Sequence, residues 1–172
     1  SGQPMPEYMK PRLTDPLGLD ILFAYNDKGE LDGPMTCMTP ESFVKFALLY
    51  LQEGEWEGRR ILDRELVRMA GSALVSTSAL DWPDPDSRSG YGFQLWRNAA
   101  GGYRFTGGGG QYAMIFPDAN LAVVTMSFSQ QFHQIPALVT DCLYRHIQAR
   151  PYPDNPRMLR ELNDRLARFT LA

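Results

Sequence analysis

Two cysteines and two histidines in 172 residues leave little material for a metal centre or a disulfide framework. Cys37 and Cys142 lie far apart, and His133 and His146 stand at no metal-ligand spacing beside them, so neither a metal nor a cofactor is expected. Both thiols are expected to be free and buried. No apolar run approaches the roughly 20 residues of a spanning helix, and Ser1-Gly2-Gln3-Pro4 carries neither the basic flank nor the apolar stretch of a signal peptide. Charge of one sign never gathers: 17 Lys and Arg face 20 Asp and Glu, a formal net charge of -3. Nucleic acid and membrane surfaces are therefore not expected as partners, and the compartment, cytoplasmic or periplasmic, is left open. What the chain does have is apolar. With 44% hydrophobic and 12% aromatic residues it can form a packed core, which excludes disorder as its main state.

The first half reads as helices joined by turns. Pro6 to Thr14 forms a short helix that Asp15-Pro16 should stop, because the residue before a proline avoids the α region. Thr39-Pro40-Glu41 is a start signal: a capping hydroxyl, proline at the first helical position, and an acid placed against the helix dipole. That helix should run through Phe43, Phe46, Ala47 and Tyr50 and stop at Gly54. A third, capped by Asp63 and ended by Gly71, should bury Leu66, Met69 and Ala70. The stretch from there to Gly90, with its prolines, acids and serines, reads as a surface connection.

In the second half the period changes to two. Tyr91, Phe93 and Leu95 alternate with Gly92, Gln94 and Trp96 as a strand; Ala99 to Gly102 turns the chain into Tyr103 to Thr106. Gln111 to Phe116 and Leu121 to Phe128 follow, separated by a Pro117 to Asn120 turn, and the last of these is apolar enough to be covered on both faces. Short connections favour antiparallel neighbours. Ile135, Leu138, Val139, Cys142 and Ile147 repeat at helical spacing and can cover the sheet. Asn155-Pro156 starts a further helix with a Leu159, Leu162, Leu166 and Phe169 stripe and an exposed Glu161 to Arg165 ion pair. The expected class is α+β: a helical portion over 1–88, an antiparallel sheet of about four strands with a covering helix over 89–149, and a helical tail over 150–172.

Gly90-Tyr91-Gly92-Phe93-Gln94-Leu95-Trp96, then Tyr103-Arg104-Phe105-Thr106-Gly107-Gly108-Gly109-Gly110-Gln111-Tyr112 and Ile115-Phe116-Pro117-Asp118, resemble the C-terminal sheet of serine β-lactamase-related hydrolases. That family contains class C β-lactamases, penicillin-binding DD-peptidases, family VIII esterases and 6-aminohexanoate-dimer hydrolases. Pro16-Leu17-Gly18-Leu19 and Gly54-Glu55-Trp56-Glu57-Gly58 resemble its earlier turns, and the likeness extends over residues 1–147. It implies part of the β-lactamase/transpeptidase-like fold and a serine of an S-x-x-K motif that attacks an acyl bond, helped by a Y-x-N tyrosine. Of the three family motifs only the K-T-G-like one has a counterpart, Phe105-Thr106-Gly107, with phenylalanine where lysine usually stands. The resemblance implies that Phe105, Thr106 and Gly107 border substrate and that the Gly108 N–H serves an oxyanion hole. Loss of the lysine favours an esterase or amidase over a true β-lactamase. Strand alternation turns Arg104 to the face opposite Phe105. The alternative reading of the glycines is a hairpin turn without a ligand.

Ser42-Phe43-Val44-Lys45 matches S-x-x-K literally, yet it falls on a different family helix and no Y-x-N follows; an exposed helix face is its plain explanation. His146 reads as structural, and Tyr25, Tyr91 and Trp96 read as core more readily than as pocket lining. The expectation is therefore a C-terminal fragment of a serine hydrolase whose nucleophile and base lie outside the chain, inactive alone, acting with the rest of its protein on a small acyl substrate. The alternative is a non-catalytic binding module of the same fold. Either way, Leu121 to Phe128 should form an apolar edge that pairs with the missing N-terminal part or with another copy.

Overall fold

The computed structural model describes residues 2–32, 36–82, 85–148 and 153–168. Its opening helix is reshaped by prolines rather than ended by them. Helix α1 (Met5–Met9) widens into a π-helical turn (Lys10–Thr14) and continues as α2 (Asp15–Leu17) until Gly18, at φ 57, ends it. Pro11 and Pro16 have no N–H to donate, and the wider turn spans the gap with bonds from Asp15 N to Lys10 O and from Leu19 N to Thr14 O. The stop expected before Pro16 therefore falls at Gly18.

A two-stranded ribbon, β1 (Ile21–Leu22) against β2 (Cys37–Met38), leads into α3 (Pro40–Leu51). Thr39 caps α3 by accepting a hydrogen bond from Ser42 N at 3.3 Å. Gly54 follows at φ 87, where an added Cβ would sit 2.4 Å from Leu62 O, so only glycine fits. The hairpin β3 (Glu55–Trp56) and β4 (Arg59–Arg60) precedes α4 (Arg64–Ala70), capped by Asp63. Two turns of helix show one narrow face to the core. That face carries Val67 and Ala70, while Leu66 and Met69, expected inside, are exposed.

Four antiparallel strands follow in the order β5 (Trp96–Arg97), β6 (Tyr103–Gly107), β7 (Gln111–Phe116), β8 (Leu121–Thr125). The alternation at 91–96 is not one strand. Gly92 N bonds Leu95 O at 2.8 Å and Gln94 takes φ 60, so the chain turns, and only Trp96 and Arg97 join the sheet. Gly92 is pressed against the end of α4, where a Cβ would lie 1.9 Å from Ala70 O. The strand covered on both faces is β7, buried from Tyr112 to Phe116, and not β8, which is a half-buried edge that stops at Thr125.

On one sheet face Ala113, Ile115 and Tyr103 meet Ala47, Ala70 and the α3 aromatics. On the other, Tyr112, Met114 and Phe116 meet Phe132 and α5 (Ile135–Cys142) through Ile135 and Val139. Each fully buried side chain of this size contributes roughly 1.5–3 kcal/mol of transfer free energy. Leu138, Cys142 and Ile147 point outward from the covering segment. The cysteines correct the expectation of buried thiols: Cys37 lies on the outer ribbon and Cys142 on the exposed side of α5, so both are exposed. The connection before β5 is likewise more than surface, since Thr77, Asp86 and Ser87 are buried. The tail helix α6 (Pro156–Ala167) is capped by Asn155, carries the Glu161–Arg165 pair at 2.8 Å, and exposes Leu159, Leu162 and Leu166; Phe169 lies outside the described residues. Among the described residues no helix is long and apolar enough to cross a membrane.

Candidate functional site

Strand β6 is central at its start and open at its end. Within β6, β5 reaches Tyr103 and Arg104 but no residue beyond them, whereas β7 pairs along the whole strand to Gly107 opposite Gln111. From Phe105 onward, one edge of β6 has no strand partner among the described residues. The glycines beyond it form a turn held from behind: Ser127 Oγ donates to Gly109 O at 2.9 Å, Thr125 Oγ1 to Gly110 O at 2.9 Å, and Ser129 N to Gly109 O at 2.9 Å. Gly110, at φ 105, has room for no side chain, because a Cβ would stand 2.2 Å from Ser127 Oγ. Gly108 differs. It is exposed, lies outside the left-handed region, and a Cβ placed there would meet nothing within 4 Å.

Alternation divides the strand's side chains between two environments. Phe105 enters the α3 aromatics, its ring centroid 6.4 Å from Phe43, 5.3 Å from Phe46 and 5.0 Å from Tyr50. Tyr103, on the same face, donates from its hydroxyl to Tyr50 O at 3.2 Å. Burial raises the ionisation of both tyrosines above the ordinary 10.0. Arg104 and Thr106 face the other way, into a cavity of about 390 Å3 that Trp82, Trp96, Tyr112 and Phe132 also line.

The Arg104 guanidinium is 1% exposed. Its Nη1 donates to Asn98 Oδ1 at 3.0 Å and to Arg97 O at 3.1 Å, and stands 3.6 Å from Asp86 Oδ2. Asp86 also accepts from Ala99 N at 2.8 Å. A buried cation needs a partner. Strand alternation in the sequence placed Arg104 on the face opposite Phe105 but did not single out Asp86; the signal that could have pointed to a partner acid is a charged residue at an inward-facing position of a strand.

The family model described as Beta-lactamase matches residues 1–139. The chain belongs to the beta-lactamase family. Two solved structures carry the same fold: one titled "Putative 6-aminohexanoate-dimer hydrolase from Bacillus anthracis" (TM-score 0.67, 19% identity) and one titled "Crystal structure of putative beta-lactamase from Bacteroides dorei DSM 17855" (TM-score 0.56, 19% identity). The matches cover 88% and 81% of this chain but only 41% and 51% of those chains, so it spans about half of each or less. No curated protein sequence shows significant similarity to it.

The remaining candidates of this beta-lactamase-family chain are placed as follows. Ser42 is buried within a capping network rather than on an exposed helix face: its Oγ accepts from Asp20 N at 2.7 Å and from Thr39 Oγ1 at 2.9 Å. Lys45 donates to Gly18 O at 2.8 Å, so the literal S-x-x-K match serves to join α3 to the α2 turn. His146 is exposed, and His133 lies beside Phe132 at the rim of the cavity. Trp96 is both packed and pocket-lining, 4.7 Å from Tyr91 and 5.2 Å from Trp82, while Tyr25 is exposed. Trp82 and Phe132 were not singled out by sequence, where neither stands in a recognisable motif.

Proposed function

We propose that this chain is the C-terminal part of a serine hydrolase that cleaves an ester or amide bond through an acyl-enzyme, with nucleophile and base supplied by residues upstream of Ser1. The observation that carries the reading is the open edge of β6, which runs on from Gly107 into Gly108, an exposed glycine whose added Cβ would meet nothing within 4 Å, beside a turn fixed from behind at Gly109 and Gly110. A donor held in this way can meet charge developing on an acyl oxygen without reorganising. Thr106 and Gly107 flank it. Phe105 supplies no cation for a substrate carboxylate, which favours an ester or amide over a β-lactam.

The test is a pair of substitutions in the chain joined to its upstream residues. Gly108→Pro removes the N–H and is expected to lower turnover of a short p-nitrophenyl ester by about 10²- to 10³-fold. Gly108→Ala keeps the N–H in open space and should leave the rate within a few-fold. Equal rates for both variants would remove Gly108 from the mechanism. The chain alone is expected to show no saturable turnover of such an ester or of a chromogenic cephalosporin, since Ser42 and Lys45 are engaged elsewhere. Saturable turnover by the chain alone would overturn the assignment of the nucleophile to upstream residues.

A further inference from the structure

The cavity beside Thr106 has a chemistry that limits what can enter it. Its volume, about 390 Å3, lies in the range of small-molecule sites. Trp82 and Trp96 form one wall, their ring centroids 5.2 Å apart and tilted by 40°. Trp96 is braced from behind by Tyr91 at 4.7 Å, whereas Trp82 is half-exposed. Phe132, with the His133 ring set edge-on to it, and the buried Tyr112 also line the cavity. Flat apolar groups gain from such walls in offset or edge-to-face contact, beyond the area they bury.

The fixed charge at this site is already engaged. Arg104 lines the cavity but is 1% exposed, with its guanidinium bonded to Asn98 and Arg97 O and paired with Asp86. A ligand carboxylate would meet a guanidinium that is 1% exposed and whose charge is already countered by Asp86, and a ligand ammonium would meet a cation across an apolar wall. Either would lose its hydration without adequate return. The hydroxyl of Thr106, across β6 from Tyr112 in register, offers a neutral polar contact at the mouth.

We infer that this pocket binds an uncharged aromatic group, the ring-bearing part of the substrate whose acyl bond lies along the Phe105 to Gly108 edge. The inference rests on the proposed hydrolase reading for the identity of the molecule that carries the ring, but not for binding itself. It sets the chain apart from a site built for a zwitterionic aliphatic amide.

The test uses the chain itself, titrated with N-benzylacetamide as a neutral aromatic amide and with 6-aminohexanoate as a charged aliphatic control. Tryptophan fluorescence and ligand-observed NMR report the binding. N-benzylacetamide is expected to bind saturably with a Kd of about 1 mM or tighter, and 6-aminohexanoate at the same concentrations should leave both signals unchanged. Trp82→Ala and Phe132→Ala, each checked by circular dichroism, should weaken binding by about tenfold or more. If one fails to fold, the other decides. Absence of saturable binding, equal binding of the two probes, or an unchanged Kd in the folded variants would overturn the inference. Because the readout requires no turnover, ring binding without ester hydrolysis by the longer protein would remove the hydrolase reading alone. A positive Gly108 result without ring binding would remove the pocket alone.

Discussion

Asp86→Ala is the substitution by which the buried polar floor of the site can be weighed. Arg104 is 1% exposed, Asp86 is an acid 3.6 Å away, and the guanidinium also donates to Asn98 Oδ1 and Arg97 O. Removing the carboxylate takes a counter-charge away from a buried cation, which costs about 3–5 kcal/mol, and also removes the acceptor for Ala99 N, about 1 kcal/mol more. A loss of about 4–6 kcal/mol approaches the whole stability of a small domain, and at about 2 kcal/mol per M it moves the urea midpoint down by roughly 2–3 M. Arg104→Met removes the cation and fills much of its volume. Asp86 then keeps Ala99 N and some contact with water, so that variant should lose only about 1–2 kcal/mol. The decisive protein is the double variant. If the pair is coupled as the geometry indicates, Asp86→Ala in the Arg104→Met background costs little, and the double variant unfolds close to Arg104→Met in urea followed by circular dichroism. A double variant that loses the sum of the two single effects, or an Asp86→Ala protein within about 1 kcal/mol of the parent, would refute the reasoning.

Two further outcomes follow from other parts of the fold. Burial holds Tyr103 and Tyr50 neutral above their ordinary 10.0, so the unfolded chain ionises first: stability is intact below about pH 10 and is lost as pH rises above it. Urea midpoints between pH 8 and 11 should show the decline, reduced in Tyr103→Phe, and a flat profile would contradict it. Among the described residues strand β8 pairs with β7 alone and is followed by Phe128, 94% exposed, so the isolated chain is expected to self-associate through this edge unless its upstream part covers it. Light scattering showing a stable monomer across a wide concentration range, with β8 amides protected from exchange, would show that the edge is closed within the chain.

Local chemistry made much of the fold legible, and the exceptions share a cause. Thr39, Asp63 and Asn155 cap helices as their side chains suggested, and Gln111 to Phe116 is a strand with the expected bounds, because these signals act within a few residues. Pro16 misled because a π-turn upstream rearranged the bonding that proline would have broken. The alternation at 91–96 misled because Gly92 turns the chain against Ala70 O, a contact made 22 residues away. Leu66 and Met69 sit on a helix too short to bury more than one face. At the site, the positions of Phe105 to Gly108 were readable by resemblance and the opposition of Phe105 and Arg104 by strand alternation. The partner of Arg104 was not readable, since Asp86 reaches it only after the 71–90 connection folds back over the sheet.

The open edge of β6 gains from being the least paired part of a well-anchored strand. An edge that merely lacked a partner would be a poor place for a catalytic donor, because lost pairing loosens the backbone. Here the strand is fixed from three other directions: β7 binds its opposite edge, the α3 aromatics hold Phe105 on one face, and the Asp86 pair holds Arg104 on the other. The turn beyond is tied to Thr125, Ser127 and Ser129. On the proposed reading, this rigid support is what would present the backbone groups from Phe105 to Gly108 to an acyl group, as preorganised stabilisation of developing charge requires. The shortness of β5 completes the arrangement. Had it run on past Arg104, the same backbone groups would be spent in the sheet, and the proposed site would have no edge to use.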